Sequence, residues 1–176
     1  MNNQERFKGK RTLFITGERA QESSARAKYK TFEPHRSHAK CRHVDAWRPI
    51  HGWSEEQVWE IIQRYQVNPH PAYKLGFGRL SCMNCIFASP NQQASIRAID
   101  PDRFDWVVRK EVEFGKTIHR KHPWSVLVDK GTPYPAIAAN PRWVKDAMSS
   151  DYNDDIIVDA WQAPSGVFSD DAAGPT

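Results

Sequence analysis

Residues 53–65 admit one local structure. Ser54 stands at a helix N-cap position and Gln57 three residues on, the pair that forms a capping box, with Trp53 and Val58 placed to close over it as a hydrophobic staple. Val58, Trp59, Ile61, Ile62 and Tyr65 then recur at helical spacing, and Asn68-Pro69-His70-Pro71 stops the run. Upstream, Thr12-Leu13-Phe14-Ile15-Thr16 is a short apolar run bounded by bases and Gly17, which reads as a buried strand. Glu22 to Lys28 reads as the start of a helix. Strand, glycine and helix in that order imply an α/β unit.

The rest of the chain is punctuated less sharply. Residues 31–46 are rich in His, Arg and Lys without a period and read as a loop. Gly76 and Gly78 frame a turn before the pair Cys82 and Cys85. Pro101 to Phe114 spaces Phe104, Val107, Val108 and Val112 among charges, a second amphipathic helix ended by Gly115. Trp124 to Val128 fits either a strand or a short buried helix, and Pro141 to Met148 a short helix with proline at its first position. The expected organisation is a flexible N-terminus (1–10), one domain (11–162) and a disordered acidic tail (163–176), which suits a length of 176 residues.

Composition narrows the class. No apolar run approaches 18 residues and no basic-then-apolar leader opens the chain, so neither a membrane span nor a membrane partner is expected. Three cysteines are too few, and odd in number, for a disulfide framework; in a cytoplasmic chain, the expected location, metal or redox work suits them better. Residues 1–145 hold all 25 bases against 14 acids, a surplus of +11, and residues 146–176 hold seven Asp and no base. A basic body favours anionic partners, nucleotides or nucleic acid, against the plainer reading of a basic surface neutralised by its own acidic tail. Trp47, Trp53 and Trp59 read as core packing rather than base-stacking platforms.

Three motifs carry the chemistry. They are Gly17-x-Arg19-x-x-Glu22-Ser23-x-x-Arg26, then Pro49-Ile50-x-x-Trp53-Ser54-x-x-x-Val58-Trp59, then His70-Pro71-x-Tyr73-x-x-Gly76-x-x-Arg79-x-x-Cys82-x-x-Cys85. In type, spacing and order this set resembles the phosphoadenosine phosphosulfate reductase family over roughly residues 10–90. The resemblance implies an α/β fold: a partial adenine-nucleotide-hydrolase-like, Rossmann-like sheet edge followed by a mostly helical C-terminal region. It also implies an adenine nucleotide as ligand.

The same resemblance exposes two departures. The family's Ser-Gly-Gly-Lys-Asp-Ser-type loop, whose backbone N–H groups hold the phosphate end of the nucleotide, occurs nowhere in the chain. The match is therefore to the family's C-terminal half. Either a separate chain or another copy supplies that loop, or the adenylate chemistry is gone. The reductases' C-terminal segment carries a Cys that attacks sulfur, whereas residues 163–176 hold none. Classical reduction by this chain alone is not expected, and no catalytic residue is assigned.

Candidate site residues follow from the motifs. Arg19 and Arg26, with Gly17, Glu22 and Ser23, are expected to bind an anionic group of the nucleotide, since guanidinium forks suit phosphate and sulfate; Lys74 and Arg79 are candidates for the same anion. The competing reading is a surface Arg pair closing salt bridges to Glu18 or Glu22. Cys82-Met83-Asn84-Cys85 can bring two thiolates to one metal, with Cys41 as a third ligand and His38 or His43 as candidates for a fourth. An iron–sulfur cluster, zinc, a redox dithiol and plain buried thiols all remain open, the cluster being what the resemblance implies. His70 is read as fixing the turn before Pro71 rather than transferring protons.

Two functions follow. One is an enzyme component acting on an adenine nucleotide, by sulfonucleotide reduction or ATP-dependent sulfur transfer. The other is a non-catalytic accessory module that binds nucleic acid or a protein complex, as in a phage, plasmid or defence system.

Overall fold

A computed structural model describes residues 4–80, 82–119 and 121–168. The chain is α/β, a small mixed sheet followed by helices, and it divides into two compact units at Ile61 and Ile62. In the first unit β1 (Arg11–Ile15), β2 (Phe32–Pro34) and β3 (His43–Trp47) form a sheet of order β1-β3-β2, with β1 parallel to β3 and β2 antiparallel to it. The 31–46 segment expected as a loop thus holds two strands. Its period-2 signal was the alternation of buried Val44 and Ala46 with His43, Asp45 and Trp47, drowned by the surrounding bases.

The first strand stands where expected but is not buried. Ile15, Trp47 and Phe32 lie in one register row, with Leu13 beside Asp45 in the next. All four of these large apolar side chains are exposed, Ile15 at 56% and Phe32 at 57%. Only the opposite face, with Phe14, Val44 and Ala46, is covered. Trp47 is accordingly no core residue, unlike the buried Trp59. Glu22–Lys28 departs too: two 3-10 turns, Ala20–Glu22 and Arg26–Lys28, replace the expected helix. Side-chain hydrogen bonds at Glu22 and Ser23 satisfy the backbone locally, and this competes with helix propagation.

α1 (Glu55–Arg64) begins at the predicted box: Gln57 N donates to Ser54 Oγ (3.3 Å) and Ser54 N to Gln57 Oε1 (2.9 Å). Beyond Ile61 the second unit comprises α2 (Pro71–Lys74), α3 (Pro90–Ile99), α4 (Pro101–Phe114), α5 (Trp124–Leu127), α6 (Pro135–Ala139) and α7 (Pro141–Met148). Trp124 to Val128 therefore resolves as helix, continued by a 3-10 turn to Lys130. Its core joins Ala94, Phe104, Val107, Trp124 and Val128, with the Phe104 and Trp124 rings stacked at 5.8 Å. Glu111, buried in α4, accepts from the backbone N–H of Ile118 (2.7 Å) and of Trp124 (2.8 Å). One carboxylate so ties the intervening loop to the helix.

Of the expected tail, residues 163–168 are described and 169–176 lie outside the described residues. Gly166 N donates to Tyr73 O (3.0 Å), Ser165 Oγ donates to Lys74 O (2.9 Å), and a Cβ on Gly166 would meet Phe77 O at 2.3 Å. This stretch lies against the 73–77 turn. No described helix is long and apolar enough to cross a membrane.

Candidate functional site

Strand order places a cavity of about 930 Å³ in the first unit, bounded by Glu18 just past the carboxyl end of β1 and Arg48 just past that of β3. In open α/β sheets that end is where ligands bind. Phe14, Tyr29, His35, Arg36 and Ala46 complete most of its wall. Phe14 and His35 rings meet at 5.0 Å.

Arg48 organises this cavity. It is 8% exposed, and its Nε donates to Glu18 Oε2 (2.7 Å) while Nη1 donates to Glu33 Oε1 (2.8 Å) and Lys30 O (2.9 Å). Its guanidinium carbon lies 4.5 Å from the Tyr29 ring centroid. Burial alone would lower its pKa, but the two carboxylates outweigh burial and raise it. The hydrogen bond from Arg48 in turn holds the Glu18 carboxyl below its ordinary value, against a smaller opposing effect of burial. Two acids around one buried base leave the floor charge-rich, with one acid in excess. Arg36, exposed on the rim of this wall, has no carboxylate at salt-bridge distance among the described residues.

The first motif sits just beyond β1 and knits its own turn. Glu22 accepts from Arg19 N (3.2 Å), lies 3.6 Å from Arg19 Nε and pairs with Arg26 Nη1. Ser23 Oγ accepts from Arg26 N (3.2 Å), and the His51 ring nitrogen Nε2 is 2.9 Å from Arg26 O. Arg19 and Arg26 are thus brought together around the carboxylate of Glu22, a partner named by the competing reading. Gly17 has ordinary room, an added Cβ meeting only Ile50 Cδ1 at 3.6 Å. Arg48, directly before Pro49 of the second motif, is a site residue that the motifs did not mark. Its signal was an arginine directly after an alternating segment, visible only once that segment is known to be a strand.

In the second unit Cys82, exposed, and Cys85, half-buried, line a cavity of about 390 Å³ with His70, Leu75, Phe77, Arg79 and Met83. His70 Nδ1 accepts from Ala72 N (3.2 Å) and caps α2, the turn-fixing role expected of it. Burial lowers its pKa, which keeps the ring in the neutral form that can accept. Lys74 lies elsewhere, with Nζ donating to Asn68 Oδ1 (2.7 Å) beside Trp143 and Trp161. Cys41 belongs to the first unit and is exposed. Among the described residues, one group of three candidate metal ligands converges, and it is His38, His43 and Asp45 rather than a cysteine set. Cys82 and Cys85 fit two positions of a cluster's usual four-thiolate set.

Residues 3–88 match the model of the phosphoadenosine phosphosulfate reductase domain. This segment, just under half of the chain, is a match to the phosphoadenosine phosphosulfate reductase family. The family segment thus takes in the whole cavity of the first unit and the C-x-x-C turn. The chain is 37% identical over 95 residues to the "Uncharacterized 37.8 kDa protein in gpa 5'region" of Escherichia phage 186, covering 54% of this chain. It is 29% identical over 77 residues to adenosine 5'-phosphosulfate reductase of Allochromatium vinosum, 44% of this chain. With the enzyme of that name from Neisseria meningitidis the figures are 31% over 72 residues and 41%. In each case the aligned part spans 28% of the relative's length. No solved structure matches.

Proposed function

We propose that this chain binds an adenine nucleotide in the cavity of the first unit and takes part in sulfonucleotide reduction or ATP-dependent sulfur transfer. The phosphate loop comes from polypeptide outside residues 1–176. The observation that carries the reading is the position of the cavity at the carboxyl ends of parallel β1 and β3, inside the family segment. Phe14, Tyr29 and His35 supply aromatic surface for a base, and Arg36 supplies a guanidinium for an anionic group. In this reading Glu22 holds Arg19 and Arg26 near the turn and exchanges them to an incoming phosphate or sulfate. Cys82 and Cys85 hold an iron–sulfur cluster or zinc together with ligands from outside that turn.

The test is calorimetric titration of the purified chain with AMP, ATP and adenosine 5'-phosphosulfate. Saturable binding weakened about tenfold by Arg36→Ala, which loses one charge-assisted bond, is expected. Absence of binding, or binding untouched by Arg36→Ala and by Arg19→Ala, overturns the reading. Iron, sulfide and zinc analysis of protein purified without oxygen tests the cysteine centre separately. The +11 surplus of residues 1–145 favours a second reading, an accessory module on nucleic acid. Its mark is salt-sensitive binding to DNA or RNA with no response to nucleotide.

A further inference from the structure

From the juxtaposition of His38, His43 and Asp45 we infer a binding site for a zinc-class divalent cation in the first unit, separate from Cys82 and Cys85 and without Cys41 among its ligands. Each of the three places a ligand atom within 4.8 Å of the other two. The backbone explains why they meet. His43 and Asp45 are two apart on β3 and so share a face of the sheet. Ala39 and Arg42 pair through reciprocal backbone hydrogen bonds of 2.9 Å, so the chain reverses over Lys40 and Cys41 and returns His38 beside them. The His38 and His43 rings then meet edge to face, centroids 4.8 Å apart.

The hydrogen bonding suits ligation. His38 Nδ1 lies between the two polar groups of Val44, 3.2 Å from its O and 3.3 Å from its N, which donates to the ring in the metal-free chain. Ligation through Nε2 selects the other tautomer, in which Nδ1–H donates to the carbonyl and the Nε2 lone pair faces outward, the usual support for a metal-bound imidazole. His43 Nε2 is 3.0 Å from Asp45 Oδ2, close to the roughly 3.3 Å between two ligands of a tetrahedral ion with bonds of about 2.0–2.1 Å. Two imidazoles and one carboxylate select zinc and its neighbours over magnesium or calcium, which take oxygen sets. Three protein ligands leave a fourth position for water. One group opposes the cation: Arg11, the register neighbour of His43 on β1, has Nη2 3.4 Å from His43 Nε2. Arg11 is exposed and long, so it can swing away, but its charge weakens binding.

The site stands apart from the nucleotide cavity, whose wall contains none of the three residues. Its bound ion clips the 35–39 segment, which does contribute His35, Arg36 and Ser37 to that wall, onto β3.

The experiment titrates the chelator-stripped full chain with Zn²⁺ by calorimetry and with Co²⁺ by visible spectroscopy. It is repeated in a Cys41→Ser, Cys82→Ser, Cys85→Ser background. One ion per chain is expected in the serine background and at least one in the wild-type chain. In the serine background the Co²⁺ bands should lack any thiolate charge-transfer component. His43→Ala and Asp45→Asn should each weaken binding at least about tenfold, judged against the loss typical of disturbed metal-site residues. Arg11→Gln should tighten it severalfold by removing a nearby positive charge, a gain that a merely structural role for these residues does not produce. No saturable binding to the wild-type chain overturns the site. So does binding that survives His43→Ala and disappears in the serine background, which assigns the ion to thiolates. Far-UV circular dichroism confirms that each variant is folded, and Asp45→Asn, at a half-exposed position, preserves shape if His43→Ala does not fold.

Discussion

Arg48 shows how much one side chain organises here. It is buried, and it closes two ion pairs, one backbone hydrogen bond and one ring contact within the first unit. Arg48→Met keeps the bulk but removes the partner of Glu18 and Glu33; both carboxylates are 31% exposed and can be solvated, so the cost is about 2 kcal/mol, that of lost charged hydrogen bonds. Urea denaturation at neutral pH should show that loss. The pH dependence has a definite sign. Folding lowers the Glu18 pKa, so its contribution is fully present above the ordinary carboxylate range and is lost as pH falls through the folded value. Wild-type stability should therefore fall more steeply on acidification than that of Arg48→Met, and equal slopes would remove Arg48 as the cause. The motif arginines behave differently. Arg19 and Arg26 could be named from their spacing, but that Glu22 occupies both guanidinium groups depends on a turn geometry no spacing encodes.

At the scale of elements, legibility tracked the locality of the signal. α1 and α4 were readable because cap, period and stop all lie within a dozen residues. Gly115 ends α4 at φ 62°, and Ser54 with Gln57 opens α1. α3 carries an equally local signature in Ser89-Pro90-x-Gln92, with Gln92 N donating to Ser89 Oγ and Ser89 N to Gln92 Oε1, both at 3.1 Å. Five consecutive buried residues in α3, Gln92 to Ile96, erase the amphipathic period that would have announced it. Ser89→Ala should cost about 1 kcal/mol in thermal or chemical denaturation, the usual worth of such a cap. β2 and β3 failed for the opposite reason. Three and five residues are too few for alternation to stand out among bases, and pairing with β1 is what makes them strands.

At the scale of the whole molecule, the two units differ in how they are held. The second encloses a core of Phe104, Val107, Trp124, Val128 and Ala94, whereas the sheet of the first buries only Val44 and Ala46. Amide exchange should accordingly be slowest in α3 and α4, with β1 to β3 opening at lower free energy. A bound adenine nucleotide should slow exchange selectively around Glu18, Tyr29 and Arg48. Uniform protection along the chain would contradict both expectations. What the sequence by itself determined was whatever neighbours along the chain can settle: the capped helices, the turn at His70-Pro71, the three ordered motifs and the family match they carry. What only the tertiary structure decided was which side chains meet. Arg48 reaches Glu18 across 30 residues and Glu33 across 15, and Gly166 reaches Tyr73, because strand pairing and packing impose separations that a linear pattern does not record.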